Sequence, residues 1–98
     1  KILSFELFKS GKTIEEIAQA RGFVRSTIEN HLAAFVGLGE LDIYSLMDRE
    51  PVAEIEGFFR EHNTMAKGEA KAYFEEKYSY GEINLVWQYM QAGAAEAG

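Results

Sequence analysis

The sequence of 98 residues lacks several features that mark other protein classes. It contains no cysteine, so it can form neither a disulfide framework nor a thiolate metal site. It contains one proline, Pro51, and almost no alternation of apolar and polar residues, which argues against β-strands. No apolar run approaches the length of a membrane span. These absences favour an intracellular, helical protein without a membrane partner.

An excess of basic residues is also missing. Ten Lys and Arg stand against sixteen Asp and Glu, for a formal net charge of −6. Residues 1–40 hold five basic and five acidic groups, whereas residues 41–98 hold five basic and eleven acidic groups. Nucleic-acid-binding proteins usually carry a basic face. We therefore expect any DNA contact in the first half, and the acidic second half suits a basic protein partner.

The apolar content predicts an ordered, all-α fold. Hydrophobic residues make up 47% of the chain, which is enough for a packed core. Helical periodicity indicates about six helices, and the best-marked ones span residues 13–21, 25–36 and 80–91. Capping boxes open two of these helices, at Thr13 with Glu16 and at Ser79 with Glu82. A further helix, predicted around Ala70 to Tyr78, precedes the last one.

The spacing of small and aliphatic residues predicts a helix-turn-helix. Ala18 permits close approach of two helices, Gly22 permits a sharp turn, and Ile28 and Leu32 fill the crossing. Leu41 to Leu46 is expected to be a short extended piece, the remnant of a wing. We thus predict a degenerate winged-helix lobe at residues 1–44, packed on a three-helix lobe at residues 45–98. The two lobes would form one compact domain, and the start at Lys1 within a helix suggests a fragment of a longer protein.

The candidate DNA-binding residues lie around this motif: Lys12, Thr13, Arg21, Arg25, Ser26 and Asn30. Arg25 suits guanine or phosphate, Ser26 suits phosphate, and Asn30 suits adenine. Glu29 is expected on the same outer face, where it would repel phosphates. Lys12 and the free amides after Thr13 would hold one phosphate. Alternatively, Arg21 pairs with a carboxylate of the first or last helix, and the outer face of the third helix is simply solvated.

Other polar and aromatic residues do not suggest an active site. His31 and His62 lack the neighbours of a metal site, and the adjacent Glu75 and Glu76 would point apart on a helix. We expect no catalytic residue and no cofactor within this chain. An aromatic series is either core or a stacking platform for single strands, with Tyr80 and Tyr89 as its most exposed members. The series comprises Tyr73, Phe74, Tyr78, Tyr80, Trp87 and Tyr89.

The stretch "LFKSGKTIEEIAQARGFVRSTIENHLAAFVGLGELDI" (residues 7–43) resembles the C-terminal helix-turn-helix domain of bacterial RecQ-type ATP-dependent DNA helicases. A related segment occurs in the Werner syndrome helicase. "YGEINLVW" (residues 80–87) resembles the closing helix of the same family. The most specific matches are Arg21, the pair Thr27-Ile28 and the pair His31-Leu32.

The resemblance implies an accessory role in a 3′-to-5′ DNA helicase of recombination and repair. The motor, with ATP and magnesium, would lie upstream, and the domain would work in the bacterial cytoplasm near the nucleoid. Its partners would be DNA, bound weakly, or a protein, together with the helicase domains in cis. The alternatives are a pure protein-interaction module with an acidic face and a small helix-turn-helix transcriptional regulator.

Overall fold

The computed structural model describes the backbone of residues 2–97 and the side chains of residues 2–93. Within these residues the chain forms six α-helices and no β-strand, which confirms the all-α helix-turn-helix prediction. None of the described helices is long and apolar enough to cross a membrane. The helices are α1 (Ile2–Lys9), α2 (Ile14–Arg21), α3 (Arg25–Gly37), α4 (Arg49–Glu61), α5 (Lys67–Phe74) and α6 (Tyr80–Ala97).

Local interactions fix both ends of α2. The backbone N–H of Thr13 donates to Glu16 Oε1 over 2.9 Å, and the N–H of Glu16 donates to Thr13 Oγ1 over 3.1 Å. This reciprocal pair is the predicted capping box. At the other end Gly22 has φ 71, a left-handed conformation that glycine adopts at little cost. The N–H of Phe23 then donates to the carbonyl of Ala18 over 2.9 Å, so the chain turns sharply before α3.

The second predicted capping box opens α6. The N–H of Ser79 donates to Glu82 Oε1 over 2.9 Å, and the N–H of Glu82 donates to Ser79 Oγ over 3.1 Å. The preceding helix, α5, is shorter than its apolar pattern predicted. It ends at Phe74 rather than near Tyr78, because Glu75 leaves the right-handed helical conformation with φ 52. Tyr78 is nevertheless buried against the core from the following turn.

Helix α3 contributes to two hydrophobic clusters. The first joins α2 to α3, with Phe5, Leu7 and Phe8 of α1 packed against it; its buried members are Ile14, Ile17, Ala18, Ile28 and Leu32. The second joins Ala33 and Val36 of α3 to apolar residues of α4, α5 and α6. Because α3 contributes to both clusters, it is enclosed on two sides. Burying one large aliphatic side chain stabilises a fold by about 1.5–3 kcal/mol.

Helices α3 and α6 run parallel in close contact. Glu29 lies against Gly81, Asn30 against Asn84, and Gly37 against Gln88, so both helices advance in the same direction. A Cβ on Gly81 would lie 2.8 Å from Glu29 Cβ, closer than side chains pack. Glycine at this position lets the first turn of α6 approach α3.

The segment after α3 differs from the predicted wing remnant. Ile43–Ser45 form a 3₁₀ turn instead of an extended piece. The side chain of Asp42 caps this turn, because its Oδ1 accepts the N–H of Tyr44 over 3.0 Å. Ile43 is fully buried in the second cluster, so its apolar character reflects packing and not strand alternation.

Candidate nucleic-acid interface

The helix-turn-helix is formed by α2, the turn at residues 22–24, and α3. Ile17 and Ala18 of α2 pack with Ile28 and Leu32 of α3, and all four are buried together as the spacing predicted. In such motifs the N-terminal residues of the second helix reach the bases of the major groove. The first turn of α3 is therefore the part of the molecule that would face the bases.

The first turn of α3 is exposed and lacks a side-chain cap. Its N-cap residue, Val24, is 67% exposed and offers no side-chain hydrogen bond. Ser26 is also exposed. The N–H of Thr27 donates to the carbonyl of Val24 over 3.1 Å, so the amides that precede Thr27 in α3 are the ones without a partner within the helix, and this end also carries the positive end of the helix dipole. Backbone and hydroxyl donors of this kind suit a phosphate.

Arg25 is about half exposed, with 48% of its side chain accessible, but it is engaged by two carboxylates. Its guanidinium forms an ion pair with the exposed Glu15 of α2. Its Nε donates to Glu29 Oε2, one helical turn along α3, over 3.3 Å. A phosphate would have to replace Glu15 to reach Arg25, and it would meet that carboxylate on approach.

Glu29 does not lie on the outer face, so this part of the prediction is wrong. Only 2% of its side chain is exposed, because the first turn of α6 covers it at Gly81. Ser79 Oγ donates to Glu29 Oε1 over 3.4 Å. Burial raises the pKa of Glu29, and the attraction of Arg25 opposes that rise. Glu29 therefore joins the start of α3 to the start of α6.

Arg21 has a different partner from the predicted carboxylate. Its Nη1 donates to Ser4 Oγ of α1 over 2.8 Å, and its guanidinium lies 4.9 Å from the ring centre of Phe23. Ser4 is fully buried and forms a second hydrogen bond, 2.9 Å long, with His31 Nδ1. Arg21 thus ties α1 to the turn, and its partial burial limits its reach toward a nucleic acid.

Lys12 and Thr13 lie at the start of α2, and both are exposed. The Thr13 hydroxyl is occupied by the capping box. The hydrogen bonds from the Thr13 backbone and side chain lower the pKa of Glu16, so its carboxylate keeps a negative charge at this helix end. That charge competes with a phosphate for the amides after Thr13, and Lys12 is the feature of this site that favours an anion.

Asn30 is exposed and belongs to a series of hydrogen-bonded polar side chains that the sequence did not predict. Its Oδ1 accepts from Asn84 Nδ2 over 2.9 Å, and Asn84 Oδ1 accepts from Lys67 Nζ over 3.1 Å. The Lys67 ammonium lies 4.6 Å from the ring centre of Trp87 and 5.7 Å from that of Tyr80. Lys67 and Tyr80 thus lie beside the motif, although nothing in the sequence pattern linked them to it.

The aromatic series divides between core and surface. Phe74 and Tyr78 are buried, and Tyr89 is half-buried. Tyr73 is 63% exposed and Tyr80 is 44% exposed. The expectation of exposure therefore holds for Tyr80, while Tyr73 replaces Tyr89 as the other exposed member. Tyr73 packs beside His62 at 5.6 Å between ring centres, on α5 and away from α3.

Comparison with known proteins agrees with this geometry. A family model described as a helix-turn-helix domain matches residues 1–87, which include all of α1 to α5 and the first part of α6. Neither a curated protein nor a solved structure matches the chain significantly. The family model covers most of the sequence and includes the helix-turn-helix together with the helices packed on it. The chain belongs to this family of helix-turn-helix domains.

Proposed function

We propose that the domain contacts duplex DNA weakly through the first turn of α3, as an accessory domain of a RecQ-type ATP-dependent DNA helicase. The observation that carries this proposal is the exposed, uncapped start of α3 within a helix-turn-helix. The helicase assignment, and with it a role in repair and recombination, rests on the sequence resemblance of residues 7–43 and 80–87. Catalysis would belong to the upstream motor with its ATP and magnesium. This domain would help to dock the helicase on DNA.

The reachable surface of α3 is short. Ser26 and Asn30 are exposed, but Ala33 and Val36 are buried under α6 and its neighbours. A major groove admits a helix along much of its length only when one face of that helix is free. Here the N-terminal end alone can enter, so few bases would be read. This supports positioning on the phosphate backbone over sequence-specific recognition.

The charges support weak binding. Lys12, Arg21 and Arg25 are the basic residues within residues 11–32, and two of them already have partners within the domain. Three phosphate contacts would give a log–log salt slope of about −2 to −3 and a dissociation constant in the non-specific range of about 10⁻⁴–10⁻⁶ M. Tethering to a motor that holds DNA raises the effective concentration to about millimolar, so contact of this strength becomes useful.

Fluorescence anisotropy with labelled duplex, forked and single-stranded DNA at several salt concentrations tests the proposal. Lys12→Gln and Arg25→Gln each remove one positive charge near α3. Arg60→Gln is the matched control, because Arg60 is 72% exposed on α4 and makes a surface ion pair with Glu56. We expect the first two variants to bind severalfold more weakly and the control to bind like the wild type. Equal losses in all three variants would mean that only net charge matters.

One observation favours protein interaction as a second candidate function. The turn of the motif presents apolar side chains, with Phe23 41% and Val24 67% exposed. Exposed apolar residues at a contact surface suit a protein more than a phosphate backbone. Absence of DNA binding at low salt, together with no effect of Arg25→Gln in the full-length parent, would favour this function. Nanomolar, sequence-dependent binding by the isolated domain would instead indicate a transcriptional regulator.

A further inference from the structure

A groove lies at the opposite end of α3 from the candidate DNA interface. It is formed where the C-terminal end of α3 and the 3₁₀ turn meet α4 and α6, and it encloses about 890 Å³. Its apolar lining comes from Val36, Leu41, Ile43 and Met90. Val36 and Ile43 are buried in the second hydrophobic cluster, and Leu41 and Met90 are partly exposed above them. The groove therefore continues the core to the surface.

Acidic side chains dominate the rim of this groove. Glu40, Asp42 and Glu56 line it together with one basic residue, Arg60. Arg60 Nη2 donates to Glu56 Oε2 over 3.2 Å, so these two charges compensate each other and Glu40 and Asp42 remain. Glu40 is exposed. One carboxylate oxygen of Asp42 accepts a hydrogen bond from the N–H of Tyr44. The negative end of the α3 dipole lies nearby and adds to the negative potential.

The pKa of Tyr89, which lines the groove, is raised in part by the same carboxylates. A hydrogen bond with Tyr44 raises the pKa of Tyr89, burial raises it further, and the carboxylates of Glu56 and Asp42 act in the same direction. The two rings pack edge to face with their centres 5.9 Å apart. Tyr89 of this pair lines the groove beside its acidic rim.

We infer that this groove binds a basic amphipathic segment of a partner protein. The apolar side chains of that segment would lie against the partly exposed Leu41 and Met90, and its Lys or Arg residues would lie along Glu40 and Asp42. Helix-in-groove recognition uses this combination of an apolar floor with charges at the edge. The choice of a basic occupant follows from the rim, where Glu56 and Arg60 neutralise each other and the carboxylates of Glu40 and Asp42 leave a net negative charge.

The groove and the DNA interface lie far enough apart to act together. Helix α3 has 13 residues, and at about 1.5 Å per residue its two ends are about 20 Å apart. A bound peptide at the C-terminal end would leave Ser26 and Asn30 free. The inference does not depend on DNA binding, since none of the groove residues belongs to the proposed DNA contact.

The probe is a fluorescein-labelled peptide of 14 residues, with Leu at helical spacing and Lys at its other positions, titrated with the 98-residue chain. Gly93 lines the groove, and a Cβ built there meets no atom within 4 Å, so Gly93→Phe adds a ring at the groove from a position where the Cβ itself has space. Gly68→Phe on α5 is the matched control, because a Cβ at Gly68 also meets no atom within 4 Å and Gly68 does not line the groove.

Charge is tested in the same way with Glu40→Lys at the rim and Glu76→Lys as its control. Glu76 is exposed in the loop after α5, and the two variants change the net charge equally. We expect Gly93→Phe and Glu40→Lys each to weaken peptide binding at least tenfold. The two controls should change it less than twofold.

Three results would overturn the inference. They are no binding of the peptide by the wild type, wild-type binding by Gly93→Phe, and equal losses for Glu40→Lys and Glu76→Lys. Sedimentation of the chain alone serves as the second measurement. A concentration-dependent dimer that Gly93→Phe abolishes would assign the groove to a second copy of this chain and would also overturn the inference.

Discussion

The two sides of α3 are held by different chemistry. Toward α2 the buried contact is apolar, with Ile28 and Leu32 fully buried. Toward the start of α6 it is polar and close, with the carboxylate of Glu29 against Gly81 and the amide of Asn30 bonded to Asn84. The apolar side can tolerate small shifts, whereas a buried charge requires its partners in place. We therefore expect the first side to determine stability and the second to determine how much of α3 remains exposed.

The largest expected effect is on the apolar side. Ile28→Ala removes buried aliphatic volume between α2 and α3, and emptying such a site costs about 2–5 kcal/mol. Urea denaturation followed by circular dichroism measures the loss. A denaturation midpoint that barely moves would show that Ile28 does not hold the crossing of the two helices.

A matched pair of glycine substitutions tests the polar side. Gly81→Ala forces a Cβ to within 2.8 Å of Glu29 Cβ, and overpacking of this kind costs about 1–3 kcal/mol. Gly57→Ala on α4 meets no atom within 4 Å, so its better helix propensity should stabilise the fold by up to about 1 kcal/mol. Opposite signs in urea denaturation would support the close approach of α6. Stabilisation by both substitutions would contradict it.

The two capping boxes offer a smaller contrast. Loss of an N-cap hydroxyl costs about 0.5–2 kcal/mol. Thr13→Ala should fall at the lower end because this box is exposed to water. Ser79→Ala should fall at the upper end, because Ser79 is partly buried and also donates to Glu29. Thermal unfolding of the two variants compares them, and a larger loss for Thr13→Ala would reverse the proposed ranking.

The smallest expected effect is a difference in pH dependence between Glu29 and Glu16. Burial raises the folded-state pKa of Glu29, so its contribution to stability falls as pH rises from the unfolded value of about 4.3 through the folded value. Hydrogen bonds from Thr13 lower the pKa of Glu16, so its contribution is present above about pH 4.3 and is lost as pH falls through the folded value.

Glutamine substitutions separate these two signs. Relative to the wild type, Glu29→Gln should become more favourable as the pH is raised from about 3 to about 7, whereas Glu16→Gln should become less favourable over that range. Urea denaturation at several pH values measures both differences. The same trend in both variants would contradict the different environments of the two carboxyl groups.

Local sequence patterns predicted the apolar side of α3 because they act over short distances. The spacing of Ile28 and Leu32, the capping box at Thr13 and the turn at Gly22 each depend on residues at most five positions apart. The burial of Glu29 depends on Gly81, which is distant in sequence and adjacent only after α6 has packed. Local patterns therefore predicted that Glu29, as a charged residue on a helix, would lie on the outer face.

In the candidate site, too, the sequence predicted the local features and not the contacts between helices. The exposure of Ser26 at the start of α3 follows from the position of the motif. The partners of its arginines do not, because Arg25 meets Glu15 through the angle between two helices and Arg21 meets Ser4 through the placement of α1. Lys67 is connected to Asn30 through Asn84 of α6, so no local sequence pattern predicts its position beside the motif.

The measurement that tests the central claim most directly is an amide NMR titration of the chain with a short DNA duplex at low salt. The account predicts fast-exchange shifts at Lys12 and at the first turn of α3, including Arg25 and Ser26, with Asn30 as the last residue affected along that helix. Shifts confined to the groove or to the far end of α3 would contradict it, as would the absence of any shift at millimolar DNA.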